Sequence, residues 1–229
     1  MLKKACCSSA LAVLIVSQFG CHQLNHLNPM LVAEWQADEK MGPTFYQRLE
    51  EFESIRGRAS GYSASDRAHM VAQVQGIYRD DVDPLIREEA VKTLAELARD
   101  GGDVTVLGNA FTDNEANVRT AACRAATRIG GSQASAKLAQ VVGGDNNHDV
   151  RLAAARELGN FNDKVAIDAL GTLLHEDDPA LQYRSINSLK QATGKDFGDS
   201  AVAWKEFIAG GTPAVANRSY SEQIIGFFR

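Results

Sequence analysis

Asp145-x-Asn147-x-Asp149 places oxygen-bearing side chains at alternate positions, the spacing with which a loop wraps a hard cation such as calcium. The remainder of such a loop is missing: Val150 stands where the sharp turn needs Gly, and Arg156 where a closing bidentate carboxylate would fall. His22 and His26 are four residues apart, a metal-compatible spacing on a helix, but two lone imidazoles near a tether are expected to be solvated. His69, His148 and His175 are scattered and form no pattern. Gly194-Lys195 ahead of a helical stretch could suggest phosphate binding. The earlier Gly and four-residue spacer of a phosphate loop are absent, however, and Asp196 follows the Lys in place of Ser or Thr. Cys6, Cys7, Cys21 and Cys123 form neither a C-x-x-C pair nor a zinc set, and Cys123 reads as a small core residue. The expectation is no catalytic residue, no metal and no cofactor.

A second set of polar residues recurs with a long period. Ile86-Arg87, Val118-Arg119 and Val150-Arg151 are spaced by 32, and Leu181-Gln182 follows after 31 with Gln in the Arg place. An acid precedes this column by six residues each time, as Asp81, Asp113, Asp145 and Glu176, and Asp83, Glu115, Asn147 and Asp178 stand four before it. A fixed period of this size marks stacked units, each too small to bury its own apolar face. In such a stack equivalent side chains become neighbours. Arg87, Arg119 and Arg151 with Asp81, Asp113 and Asp145 are therefore expected to form a structural ladder between repeats.

The elements that must carry this ladder are helical hairpins. Val91, Cys123, Ala155 and Ile186 align in one column, Leu94, Ala126, Leu158 and Leu189 in another, and Ala90, Ala122, Ala154 and Ser185 beside them. Offsets of three and four put these on one helix face. A second helix per unit aligns Leu107, Leu138 and Leu170, then Ala110, Val141 and Leu173, then Phe111, Val142 and Leu174. Gly101-Gly102, Gly130-Gly131 and Asn160 to Asp163 separate the two helices of a unit, and Pro84 and Pro179 open first helices, where a missing amide hydrogen is harmless. The fold class expected is all-α, an α-solenoid of about four to five stacked hairpins.

These columns resemble HEAT repeats, especially the short variety of bacterial proteins and phycobilin-lyase relatives. The matching residues are Asp83-Pro84-Leu85-Ile86-Arg87, Asn117-Val118-Arg119-Thr120-Ala121-Ala122 and Asp149-Val150-Arg151-Leu152-Ala153-Ala154-Ala155-Arg156-Glu157-Leu158-Gly159. The resemblance covers roughly residues 66–209 and implies a solenoid used mainly for protein–protein contacts, with no catalytic residue.

At the amino end, Lys3 and Lys4, an apolar run around Ala10 to Val16, and Gly20-Cys21 follow the order of a secretory signal over residues 1–20. The sixteen residues from Ala5 to Gly20 are short of the roughly 20 a spanning helix needs. Cys straight after Gly resembles the lipobox of bacterial lipoproteins, which implies lipidation of Cys21, although Gln18 and Phe19 depart from the usual aliphatic and small residues. That resemblance implies a membrane-attached protein facing an extracytoplasmic compartment of the cell envelope. Residues 21–43 then form a tether, 44–80 a divergent hairpin cap with helices at Thr44 to Ile55 and Ser65 to Tyr78, and 81–209 the repeats with a closing unit around Phe197 and Trp204. Residues 210–229 are a linker and an apolar peptide carrying Tyr220, Ile224, Ile225, Phe227 and Phe228, expected either to fold back on the solenoid, the preferred reading, or to serve as a partner-binding or membrane-touching peptide.

With 24 basic and 29 acidic residues the chain is acidic, and removal of Lys3 and Lys4 makes it more so. Phosphate neutralisation needs a basic stripe, so nucleic acid is not expected as partner. Outward positions of the second helices, Thr105, Asn109, Gln140, Asp168 and Thr172, are candidates for a groove surface, small, polar and nearly uncharged, with no exposed aromatic anchor evident. Two functions are compatible with the pattern. One is a lipid-anchored scaffold holding a protein partner; the other, resting on kinship alone, is a lyase-like enzyme acting on a small-molecule chromophore. The first is preferred, because Asp168, the single acid in the groove columns, has no aligned partner for acid–base chemistry.

Overall fold

The computed structural model describes residues 42–99 and 102–214. The signal segment, Cys21, most of the tether and the peptide from residue 215 onward lie outside the described residues. The chain divides into two compact units, Met1–Arg48 and Leu49–Arg229. In the first, Thr44 and Gln47 make a reciprocal cap, the Thr44 amide donating to Gln47 Oε1 at 2.7 Å and the Gln47 amide to Thr44 Oγ1 at 3.3 Å.

Among the described residues every regular element is helical. They are α1 (Phe45–Arg58), α2 (Ala64–Asp80), α3 (Pro84–Leu97), a 3-10 segment (Val104–Thr112), α4 (Ala116–Ile129), α5 (Ser132–Gly144), α6 (His148–Leu158), α7 (Lys164–Leu173), α8 (Pro179–Thr193) and α9 (Ala201–Ile208). In the second unit α3, α4, α6 and α8 pack successively in one layer, and α2, the 3-10 segment, α5, α7 and α9 in the other. This is an α-solenoid of helical hairpins. Sequence explains the punctuation: Asp83, Asn147, Asp163, Asp178 and Ser200 each accept from amides in the first turn of the helix they precede, and Pro84 and Pro179 stand at the first helical positions.

The core is what the periodic columns supply. Ile86, Val118, Val150 and Leu181 have no solvent exposure, and the same is true of Leu94, Ala126, Leu158 and Leu189. Ala90, Ala122, Ala154 and Ser185 are equally buried. A hydroxyl at the last of these costs nothing in unsatisfied polarity, since Ser185 Oγ donates to the Leu170 carbonyl at 2.6 Å. Cys123 is sealed among them, and burial, reinforced by Glu157 and Asp145, pushes its thiol up to about 12, so it is inert at neutral pH. The closing unit is aromatic: Phe197 meets Trp204 at 4.9 Å and Phe207 at 5.2 Å between ring centroids, and the Trp204 indole N–H donates to the Gly198 carbonyl. Lys195, of the Gly-Lys turn, lies over the Phe207 ring.

One element departs from the periodic expectation. The second helix of the first repeat is not a regular α-helix but two short 3-10 turns broken at Gly108, whose φ of 53° and ψ of −126° lie where side-chain-bearing residues are strained. Leu107 and Ala110 on either side remain buried, so the break changes the path of the backbone without surrendering the core.

Two measurements test this packing. Leu158→Ala is expected to cost about 2–5 kcal/mol in urea denaturation, as a buried large-to-small change in a column shared by two units. Gly108→Ala is expected to cost about 1–3 kcal/mol from backbone strain alone, since a Cβ there would meet no atom within 4 Å.

Candidate interaction cleft

The loops between units are built on carboxylates with two tasks. Asp81, Asp113 and Asp145 each accept, through Oδ1, the amide two residues on, at 2.8–2.9 Å, which forms a tight turn into the next first helix. The remaining capacity of Asp113 and Asp145 is filled from the preceding unit. Arg87 forks onto Asp113 with two bonds of 2.9 Å, and Arg119 onto Asp145 at 2.7 and 3.0 Å. The third guanidinium nitrogen turns back to the arginine's own loop, Arg87 Nη1 donating to the carbonyls of Asp81 and Val82 and Arg119 Nη1 to those of Asp113 and Asn114. Each arginine thus reads its own loop through backbone and the following loop through a carboxylate.

The third rung differs. Arg151 pairs with Glu176 through Nη2 and donates through Nε to the Val142 carbonyl at 2.8 Å. Glutamate's longer stem brings only one nitrogen to its carboxylate. At the fourth rung Gln182 donates to the Glu176 carbonyl and has no carboxylate partner among the described residues. The backbone half of the interaction survives there without the charge.

Burial makes the first two rungs strong. Asp113 and Asp145 side chains are each 6% exposed, and Arg87 and Arg119 15% and 12%. Burial by itself would raise the Asp113 carboxyl, but hydrogen bonds from Arg87, the Glu115 amide and the Tyr78 hydroxyl outweigh it and hold the group below the usual carboxylate range. Asp145 is likewise held down, by Arg119 and the Asn147 amide against burial. Tyr78, which donates to Asp113 at 3.0 Å from α2, has its own ionisation pushed well up by burial and by that carboxylate.

These bonds account for the cation-like spacing at 145–149. Asp145 serves Arg119, Asn147 caps α6, and Asp149 stands exposed in the first helical turn. Among the described residues no three His, Cys, Asp or Glu side chains form a metal-binding group.

Beside the second rung opens a cleft of about 640 Å³, walled on one side by the 3-10 segment and the loop after it, and on the other by α5 and the loop after that. The Gly108 break shapes the first wall, and the Arg119–Asp145 pair lies at its end. Asn109 and Gln140, in equivalent positions of adjacent units, both line it, with Lys137 one turn before Gln140. A smaller cleft of about 230 Å³ collects Asp168, Thr172, His175 and Lys205 between α7 and α9, where Asp168 is held by Lys164 at 2.8 Å. Thr105 is exposed but lines neither cleft; its amide is used by the Asp103 cap. Two features escape the column analysis. Lys137 lies one helical step off the aligned positions, and Tyr183, 58% exposed on α8, is an outward aromatic where none was evident.

The ladder generates a pH prediction. Asp113 and Asp145 titrate lower in the fold than in the unfolded chain, so their stabilisation is complete above about pH 4 and is lost as pH falls through their lower folded values. Asp145→Asn is expected to cost on the order of 3 kcal/mol at neutral pH, because it weakens a buried charge pair from one side. Urea titrations should show the gap between the two proteins narrowing below about pH 4.

The family profile described as HEAT repeats matches residues 71–154 and, overlapping, 137–203, together more than half of the chain. No curated protein matches it.

Proposed function

Since the chain belongs to the HEAT-repeat family, we propose that it is a non-catalytic interaction scaffold, exported and anchored through a lipid on Cys21, that holds a protein partner along its second-helix face. The observation that carries this reading is the cleft between the 3-10 segment and α5, open to solvent and edged by polar side chains from two successive units. A solenoid of stacked hairpins offers such a surface at low conformational cost, because both walls are pinned by the ladder beneath them.

The chromophore-handling alternative finds less support in the same cleft. Its carboxylates, Asp113 and Asp145, are committed to arginines and held ionised, so neither is available as a general acid. The anchor rests on the order of charged, apolar and Gly20-Cys21 segments in the sequence.

Two experiments test the reading. Intact mass of the protein from the membrane fraction of its host is expected to lack residues 1–20 and carry acyl chains, and Cys21→Ser is expected to lose both changes. A full-length, unmodified and soluble protein would overturn export. In the same host, a photo-crosslinking residue at Gln140 is expected to trap a defined protein, whereas one at Arg124, on the outer face of α4, is not. Absence of any adduct at Gln140 and at Thr172 would overturn the scaffold.

A further inference from the structure

The charges lining the larger cleft are Asp113, Arg119, Lys137 and Asp145. Three are consumed: Asp113 by Arg87, and Arg119 and Asp145 by each other. Lys137 is exposed and makes no ion pair or hydrogen bond among the described residues, so it is the single uncompensated charge of the site.

The uncharged polar lining is mostly carboxamide. Asn109 and Asn114 stand on the 3-10 wall, and Gln140 and Asn146 on the α5 wall. None of these four side chains is hydrogen-bonded within the described protein. Several carboxamides elsewhere are spent, Gln75 on the Val106 carbonyl, Asn147 on its helix cap, Gln182 on the Glu176 carbonyl and Gln191 on Asn160, whereas Gln73, Asn117, Gln133 and Asn162 stand unbonded but apart from one another; in the cleft four unbonded ones gather in one place. A free carboxamide presents one donor group and one acceptor, the complement of a peptide N–H and C=O. An extended chain projects those groups sideways to both edges and its side chains above and below. Two walls of carboxamides with a cation on one of them match that arrangement, and the volume lies within the range of about 300–1,000 Å³ in which ligands are held.

We infer that this cleft binds an extended peptide segment through its main chain, Asn109 and Gln140 gripping opposite edges, with an acidic side chain of the segment set against Lys137. The inference rests on the scaffold reading and specifies what the scaffold holds.

The test uses the full chain on an immobilised array of nonapeptides of varied sequence, each synthesised as a pair with Glu or Gln at the centre, beside printed neutral and uronic-acid oligosaccharides. Some peptides are expected to be retained, the Glu member about fivefold more than the Gln member, the gain of one solvent-accessible charge pair. Lys137→Gln is expected to erase that difference while leaving residual binding, and the double change Asn109→Ala, Gln140→Ala to lower both members together. Arg124→Gln, on the outer face of α4, is expected to change neither, and because all these side chains are exposed the variants should keep the wild-type melting temperature. A Glu preference that survives Lys137→Gln overturns the inference. Retention of the uronic-acid sugars in place of peptides does so too, by assigning the cleft to carbohydrate. If no peptide is retained but the Gln140 crosslink persists in the host, the inference fails and the scaffold stands. Loss of both overturns the two together.

Discussion

A guanidinium shared between two loops sets the register of this molecule. Apolar burial drives the hairpins together, but it is non-directional, and columns rich in Ala would tolerate small slips between layers. The forked bonds of Arg87 to Asp113 and of Arg119 to Asp145 do not tolerate them, because a bidentate pair with both partners mostly buried is satisfied in one geometry only. The same carboxylates shape the turn that launches the next helix, so inter-unit register and helix start are decided by one group. That economy explains why acid, cap residue and arginine recur with fixed internal spacing while the residues between them vary.

Beside this fixed edge the second-helix layer is where the units differ. The first repeat gives up a regular helix at Gly108, the second keeps one in α5, and the mismatch between a narrow 3-10 wall and a full α-helical wall leaves space along their contact. The ladder neutralises the acids at the end of that space. Its remaining character is then set by carboxamides and one lysine, which belong to the variable layer.

Helices, core columns and unit boundaries were legible in the sequence because they are enforced by repetition: a column such as Leu94, Ala126, Leu158 and Leu189 reports burial four times over. The ladder was legible in composition but not in connectivity. An acid six residues before an arginine and another 26 residues after it are both consistent with a stack, and only the folded chain shows that the first contributes its carbonyl and the second its carboxylate. The cleft was least legible. Gly108 sits in a stretch whose apolar spacing is helical, and a single Gly does not declare whether it will be tolerated or will break the turn. Lys137 is one position off an aligned column, and its importance arises from what its neighbours have already been paired with, which no spacing contains.

Gln182 has a meaning for how such an array could change in length. A unit carrying arginine requires an acid in the loop that follows, and a unit preceded by arginine must supply one. Units carrying Arg87, Arg119 or Arg151 are therefore interchangeable links, and duplication or deletion of a whole link leaves every charge matched. The hairpin that carries Gln182 asks nothing of what comes after it. It is a terminator: new links can be added on its amino-terminal side without penalty, whereas an extra copy placed beyond it would bring an acidic loop with no guanidinium to receive it.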